Sequence, residues 1–191
     1  MKKDIKDAIL YTARDLFNER GYQEVSMRNI ADALNISVGN LTYHYKKKED
    51  LIAAVYLERH KSYKKPGVPQ NITELNQFFM RVLDDQQKNH YYFGNYDELL
   101  ELCPKAAELQ LVVMQDLFSA IKGAFTILQN EGIMRREAFT NQYDVIIQAL
   151  LTICLYELPA PMYFGENAMQ QKLMSLWSIV FAFLTEEGKK S

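Results

Sequence analysis

Cysteine is nearly absent from this chain. Of its 191 residues only Cys103 and Cys154 are cysteines. Each sits inside an apolar helical pattern without CxxC spacing, which argues against a disulfide-stapled scaffold or a thiolate metal site. Two reduced core residues in a cytoplasmic protein are expected. Proline and glycine are also scarce, at 5 and 8, so collagen-like and low-complexity classes are excluded. No uninterrupted apolar run approaches the roughly 20 residues that cross a bilayer. The most apolar stretches, residues 145–158 and 173–184, are broken by polar side chains, so no membrane span is expected. The amino terminus, MKKDIKDAILYTARDLF, has acids within its first turn and no continuous apolar region or small-residue cleavage site, unlike a secretory signal. Catalytic signatures are missing too: there is no GxSxG, P-loop or HExxH, and His44, His60 and His90 lie far apart in the chain. Neither an enzyme activity nor a metal or other cofactor is expected.

What is present is helical. Apolar residues recur at three- and four-residue spacing along nearly the whole chain, and no alternating run bounded by turn signals would pass as a strand. The spacing predicts an all-α protein of about nine helices. Charge is uneven along it. Met1 to Lys65 holds 13 Lys and Arg against 9 Asp and Glu, a formal +4, while the remainder holds 9 against 15, a formal −6. A basic first part on an acidic body fits a module that approaches polyanions. The two parts meet at KKPGVPQN, where Pro66, Gly67 and Pro69 cannot continue a helix.

The first helix carries Ile5, Ala8, Ile9, Ala13, Leu16 and Phe17 on one face and stops at Gly21. Ser26 is a good N-cap for a second helix bearing Ile30, Ala31 and Leu34. After a break at Asn35-Ile36, Ser37 can cap a third, so two short helices joined by a tight turn form a helix-turn-helix. A fourth opens at KKKED. Farther on, Asn71-Ile-Thr-Glu74 and Asn95-Tyr-Asp-Glu98 resemble capping boxes. Long patterns follow over about 106–130, 140–157 and 166–186.

The third helix has two faces. Val38, Leu41 and Tyr45 fall within about 60° of one another, a packing stripe, while Gly39, Asn40, Tyr43 and His44 point outward and Thr42 lies at the margin. That outward face combines a residue without a side chain, an amide, a phenol and an imidazole, so backbone can approach a partner while donors reach base edges or phosphates. Lys46, Lys47 and Lys48 follow at the positive end of the next helix.

The segment SMRNIADALNISVGNLTYHYKKKEDLIAAVY resembles the DNA-binding domain of the TetR/AcrR family of bacterial transcriptional regulators. Gly39, Leu41, Tyr43, His44, Lys46, Lys48, Glu49, Asp50 and Leu51 match its pattern in order, and IKDAILYTARDLFNERGY matches its first helix. Thr42 stands where a Tyr is common, which removes one phosphate contact, and Tyr45 stands for Phe. The resemblance implies a homeodomain-like three-helix domain over 1–63, with its helix-turn-helix at about 26–45, and a larger helical effector-binding and dimerisation domain over 70–191. Candidate DNA contacts are Ser26, Arg28, Ser37, Val38, Gly39, Asn40, Thr42, Tyr43, His44, Lys46 and Lys48, with Lys48 as the phosphate anchor. The implied partners are palindromic double-stranded DNA and a second copy of the chain.

By the same resemblance the helices near 140–157 and 166–186 form the dimer, and their apolar residues, including Ile146, Ile147, Leu150, Leu151, Leu155, Leu173, Leu176, Trp177 and Val180, exceed one buried stripe. The middle of the chain is rich in Tyr, Phe and Met. Tyr92, Phe93, Tyr96, Met114, Phe118, Tyr143, Tyr156 and Trp177 are candidate lining residues for a mostly apolar or aromatic effector. A repressor released by such a ligand is the expected function. Other readings stay open: a DNA-binding regulator whose second domain only dimerises or docks a protein, a helical hydrolase, or a helix-turn-helix that docks protein.

Overall fold

The computed structural model describes residues 5–61, 63–89, 101, 103–155 and 168–190. Among them are eight α-helices: α1 (Ile5–Arg20), α2 (Met27–Ala33), α3 (Val38–His44), α4 (Lys48–Lys61), α5 (Ile72–Lys88), α6 (Pro104–Asn130), α7 (Gln142–Leu155) and α8 (Ala168–Phe181), followed by a 3-10 turn, Gly188–Lys190. The expected all-α class holds. The capping box proposed at Asn95, the aromatic cluster at 91–96 and Tyr156 lie outside the described residues.

The chain divides into two compact units, one of Met1–Lys64 with Lys88–Leu111, the other of Lys65–Gln87 with Val112–Ser191. In the first unit α1 contributes Ile9, Ala13 and Phe17, α2 Ile30 and Ala31, α3 Leu41, and α4 Leu51, Ile52, Val55 and Tyr56 to one apolar cluster that also takes in Cys103 and Ala106. Gly21 ends α1 in the left-handed conformation, φ +80°, which glycine adopts without steric cost. Its N–H donates to Phe17 O at 2.9 Å. Tyr22, the next residue, turns inward and meets Phe17 edge-to-face.

In the second unit α5 starts where Asn71 accepts from the Glu74 N–H at 2.9 Å, while the Glu74 carboxylate accepts from the Gln70 N–H at 2.9 Å. Its buried face, Leu75, Phe78, Phe79 and Leu83, packs through Phe79 against Trp177 of α8. The apolar length of the chain sits elsewhere than the sequence reading places it. Among the described residues the one helix long and apolar enough to cross a membrane is α6, and 39% of its most apolar stretch is buried inside the protein. Two of its charged residues are paired within the second unit, Asp116 with Lys65 at 2.9 Å and Lys122 with Asp144 of α7 at 2.7 Å.

The last helix ends at Phe181, five residues short of the expected Glu186. The chain instead folds back on the turn after α6: Met134 and Leu184 form an isolated antiparallel bridge, the Arg135 N–H donates to Phe183 O, and the Thr185 N–H donates to Ile133 O, both at 2.9 Å. These bonds satisfy backbone that a longer helix would have used internally. Tyr143 locks the same turn, donating from its hydroxyl to Arg135 O at 2.6 Å and stacking edge-on with Phe125 and Phe183.

Two tests follow from this packing. A Cβ at Gly188 would strike the Ile133 carbonyl oxygen, so Gly188→Ala should lower unfolding stability by about 1–3 kcal/mol; an unchanged denaturation midpoint would show that the carboxyl-terminal clasp does not bear on stability. Cys154 is fully buried, and burial pushes its thiol from the ordinary 9.0 up to about 12. The unfolded chain therefore ionises first, and stability should decline as pH rises from about 9 toward 12. At pH 8 native Cys154 should resist iodoacetamide, which needs the thiolate, and react once the protein is unfolded; mass spectrometry reads both states.

Candidate nucleic-acid interface

The helix-turn-helix is held by caps more than by length. Ser26 Oγ accepts from the Asn29 N–H at 3.2 Å, and Asn29 Oδ1 accepts in return from the Ser26 N–H at 2.9 Å, a reciprocal box with Asn in the usual Glu position. Asn35 turns the chain in the left-handed conformation, φ +53°, which Asn tolerates better than most residues. The Ile36 N–H reaches Ala31 O at 3.0 Å. Ser37 Oγ then accepts from the Asn40 N–H at 3.1 Å and starts α3. Without such caps a seven-residue helix would be marginal.

Leu41, fully buried, sets the rotation of α3. Opposite it, Ser37, Gly39, Asn40 and Tyr43 are exposed, Tyr43 to 84%. Thr42 and His44 are half-buried; Thr42 donates to Gly39 O at 3.1 Å, and the His44 ring meets Tyr43 edge-to-face at 5.2 Å. Val38 is the correction. The wheel assigns it to the packing stripe, but it is 40% exposed. Ile36, just outside the helix, packs on the core there instead, along with Tyr45 at the other end.

Gly39 is informative through what it does not do. A Cβ there would meet only Ser37 Oγ, at 3.8 Å, an ordinary contact. The fold gives no reason for a glycine within this helix, where it costs about 0.5–1 kcal/mol relative to alanine. A bare backbone patch on the outward face remains. In the same unit Arg28 is exposed with a long 3.9 Å ion pair to Asp32, and Lys46 and Lys47 are exposed just after α3. Glu49 and Asp50 occupy the first turn of α4, where its positive end favours acids. Lys48 is placed differently from its neighbours: half-buried, its Nζ lies 4.1 Å from the Tyr22 ring centroid and donates to Gln23 O at 3.3 Å.

The candidate effector residues are dispersed. Met114 and Phe118 line a groove of about 420 Å³ between α6 and α7, floored also by Leu151 and Leu155 and edged by Gln115, Ser119, Gln148 and Thr152. Tyr143 and Trp177 lie away from it: Tyr143 is in the turn described above, and Trp177 donates from its indole to Asn76 Oδ1 at 2.7 Å. Tyr92, Phe93, Tyr96 and Tyr156 lie outside the described residues. The four polar edge residues were not among the sequence candidates. Their signal is two i, i+4 pairs, 115/119 and 148/152, each one position after an apolar pair or interleaved with one.

Gly39→Ala should therefore raise unfolding stability by about 0.5–1 kcal/mol, read by chemical denaturation. A loss of stability would mean that α3 needs the glycine for its own geometry.

Residues 9–55 match the amino-terminal domain described as bacterial regulatory proteins, tetR family. Over 180 residues the chain is 25% identical to the probable HTH-type transcriptional regulator YttP of Bacillus subtilis, covering 90% of this chain and 85% of the relative. A TetR-family transcriptional regulator from Marinobacter aquaeolei VT8 superposes with a TM-score of 0.83 at 20% identity, over 100% of this chain and 95% of that one. A SmeT–triclosan complex superposes with a TM-score of 0.55 at 16% identity, over 95% and 92%. Residues 9–55 thus match a tetR-family amino-terminal domain, and the whole chain shares the fold of a TetR-family transcriptional regulator.

Proposed function

We propose that this protein is a dimeric, sequence-specific repressor released from its operator by a small, uncharged, mostly apolar effector. On this reading α3 enters the major groove with Gly39, Asn40, Thr42, Tyr43 and His44 toward base edges and Val38 at its margin, while Ser26, Arg28, Ser37 and Lys46 stand toward phosphates. Two such helices, one per subunit, need a separation of about 34–36 Å to reach successive grooves.

The outward stripes of α7 and α8 support dimerisation. Ile147, Leu150, Leu151, Leu155, Leu176 and Val180 are buried within the subunit, so the apolar surplus anticipated from sequence is largely spent internally. What faces out on α7 is Val145, Gln148, Ala149 and Thr152, and on α8 Gln170, Gln171, Met174, Ser175, Ser178 and Phe181. Neither stripe carries a charge. Two helices with uncharged outer faces that include the exposed Val145, Met174 and Phe181 suit a self-complementary contact about a two-fold axis.

The observation that carries the effector reading is the groove between α6 and α7. Its size falls within the range of about 300–1,000 Å³ for small-molecule sites, and no charged side chain lines it. The hydroxyls of Ser119 and Thr152 donate to their own helices, to Gln115 O at 2.7 Å and Gln148 O at 2.8 Å. The side-chain amides of Gln115 and Gln148 are left as the polar handles on an apolar floor. A neutral ligand fits such a site, and the SmeT–triclosan complex is a similar fold holding a small molecule. The groove is open along one side, with Leu111 and Val112 exposed farther up α6. That openness favours the second reading, a regulator whose larger domain docks a protein.

Selection of bound fragments from genomic DNA by the purified protein, beside a Tyr43→Ala, His44→Ala variant, tests the reading. The native protein should recover a palindrome with half-sites about one helical turn apart, and the variant should bind it at least about tenfold more weakly. Screening uncharged aromatic compounds for release of that fragment, with Phe118→Glu as the blocked-groove control, tests the effector. Enrichment that is equal in both proteins would sink the assignment of α3; release that is insensitive to Phe118→Glu would move the ligand elsewhere.

A further inference from the structure

Of the three lysines after α3, two are exposed and one is held. The Lys48 ammonium rests 4.1 Å from the centroid of the Tyr22 ring and donates to the Gln23 carbonyl at 3.3 Å. The ring is a fixed platform: Tyr22 is buried and sits edge-on to Phe17 of α1, centroids 5.5 Å apart. A cation on an aromatic face with a carbonyl acceptor has partners that a swing toward a phosphate would forfeit. The chain positions matter as much. Tyr22 and Gln23 lie just before the Ser26 cap of α2, and Lys48 lies just after Lys46 and Lys47. The contact therefore closes the two ends of the segment that contains the whole helix-turn-helix.

We propose that Lys48 is a positioning residue: its ammonium clamps the start of α4 to the Tyr22–Gln23 turn, fixing where the Ser26 cap and the exposed Lys46 and Lys47 stand toward DNA, and it leaves phosphate contact to those two lysines. The clamp acts on geometry at both edges of the α3 face. It replaces the sequence expectation that Lys48 is itself the phosphate anchor. The proposal rests on the DNA-binding reading, so its test must fail separately from that reading.

Three variants in the full-length protein suffice. Lys48→Met keeps the stem and removes the charge, Tyr22→Leu removes the ring face, and Tyr22→Phe keeps it. Each is checked for folding by circular dichroism. Affinity is then measured across a salt series for the duplex recovered by selection and for a random-sequence duplex of equal length. Lys48→Met and Tyr22→Leu should each bind the selected duplex about tenfold more weakly, the double variant should be no weaker than the weaker single, and Tyr22→Phe should match the native protein. The slope of log affinity against log salt should stay at the native value throughout. If Tyr22→Leu does not fold, Lys48→Met and Tyr22→Phe still decide.

Two outcomes overturn the proposal alone. A slope flattened by about 0.9 for each lysine removed, seen in Lys48→Met but in neither tyrosine variant, makes Lys48 a phosphate ligand. A folded Lys48→Met protein with a lower melting temperature and native affinity makes it a structural residue only. If the native protein itself shows no salt-dependent affinity for either duplex, the DNA-binding reading fails and takes this proposal with it.

Discussion

The outward face of the first unit depends on one buried leucine. The α3 helix has seven residues, too few to be stable alone, and Leu41 is its only fully buried side chain. Burying a leucine contributes about 1.5–3 kcal/mol, comparable to what the Ser37 cap and the flanking Ile36 and Tyr45 contacts add together. Because a single inward anchor sets the helix rotation, every other position on α3 is placed by it. Gly39, Asn40 and Tyr43 face outward because Leu41 faces in. The α1, α2 and α4 core exists, in this sense, to hold one socket.

Much of that unit is legible in the sequence because its signals are local. Ser26 and Ser37 announce helix starts through their own hydroxyls, and Gly21 announces a stop through its left-handed conformation. Such signals act within four residues and need no knowledge of the fold. Val38 shows where local reading ends. An ideal wheel places it beside Leu41, but at the first helical position the packing was taken by Ile36 from outside the helix, and periodicity cannot see a residue that is not in the helix. Lys48 shows a related limit: nothing local in the lysine run sets it apart, whereas in the fold it meets the Tyr22 ring, 26 positions earlier in the chain, and the Gln23 carbonyl.

The second unit is less legible because its decisive contacts are long-range. The end of α8 is set by pairing of 183–185 with 133–135, some fifty residues away, whereas the apolar pattern alone continues to Glu186. Tyr143 reads as a pocket aromatic, yet its hydroxyl has a backbone partner and its ring lies between Phe125 and Phe183. Trp177 likewise spends its indole N–H on Asn76. A Tyr O–H or Trp N–H taken out of water usually finds a hydrogen-bond partner, and here both partners belong to the protein itself. The groove is instead edged by residues that composition passes over, Gln115 and Gln148 among them.

Glycines separate positions the fold requires from positions it merely permits. Gly21 and Gly132 take left-handed backbone, and a side chain at Gly188 would meet the Ile133 carbonyl; each has an internal cause. Gly39 has none, since its neighbourhood is open and it sits in a helix that would be more stable with alanine. The same holds for Tyr43, a large aromatic 84% exposed beside a core it does not join. Two adjacent departures from what stability alone would select, on the one face that Leu41 turns outward, place the demand outside the chain. On the proposed reading that demand comes from a grooved polyanion, which close backbone approach, a projecting phenol and the exposed Arg28, Lys46 and Lys47 of the same unit would suit.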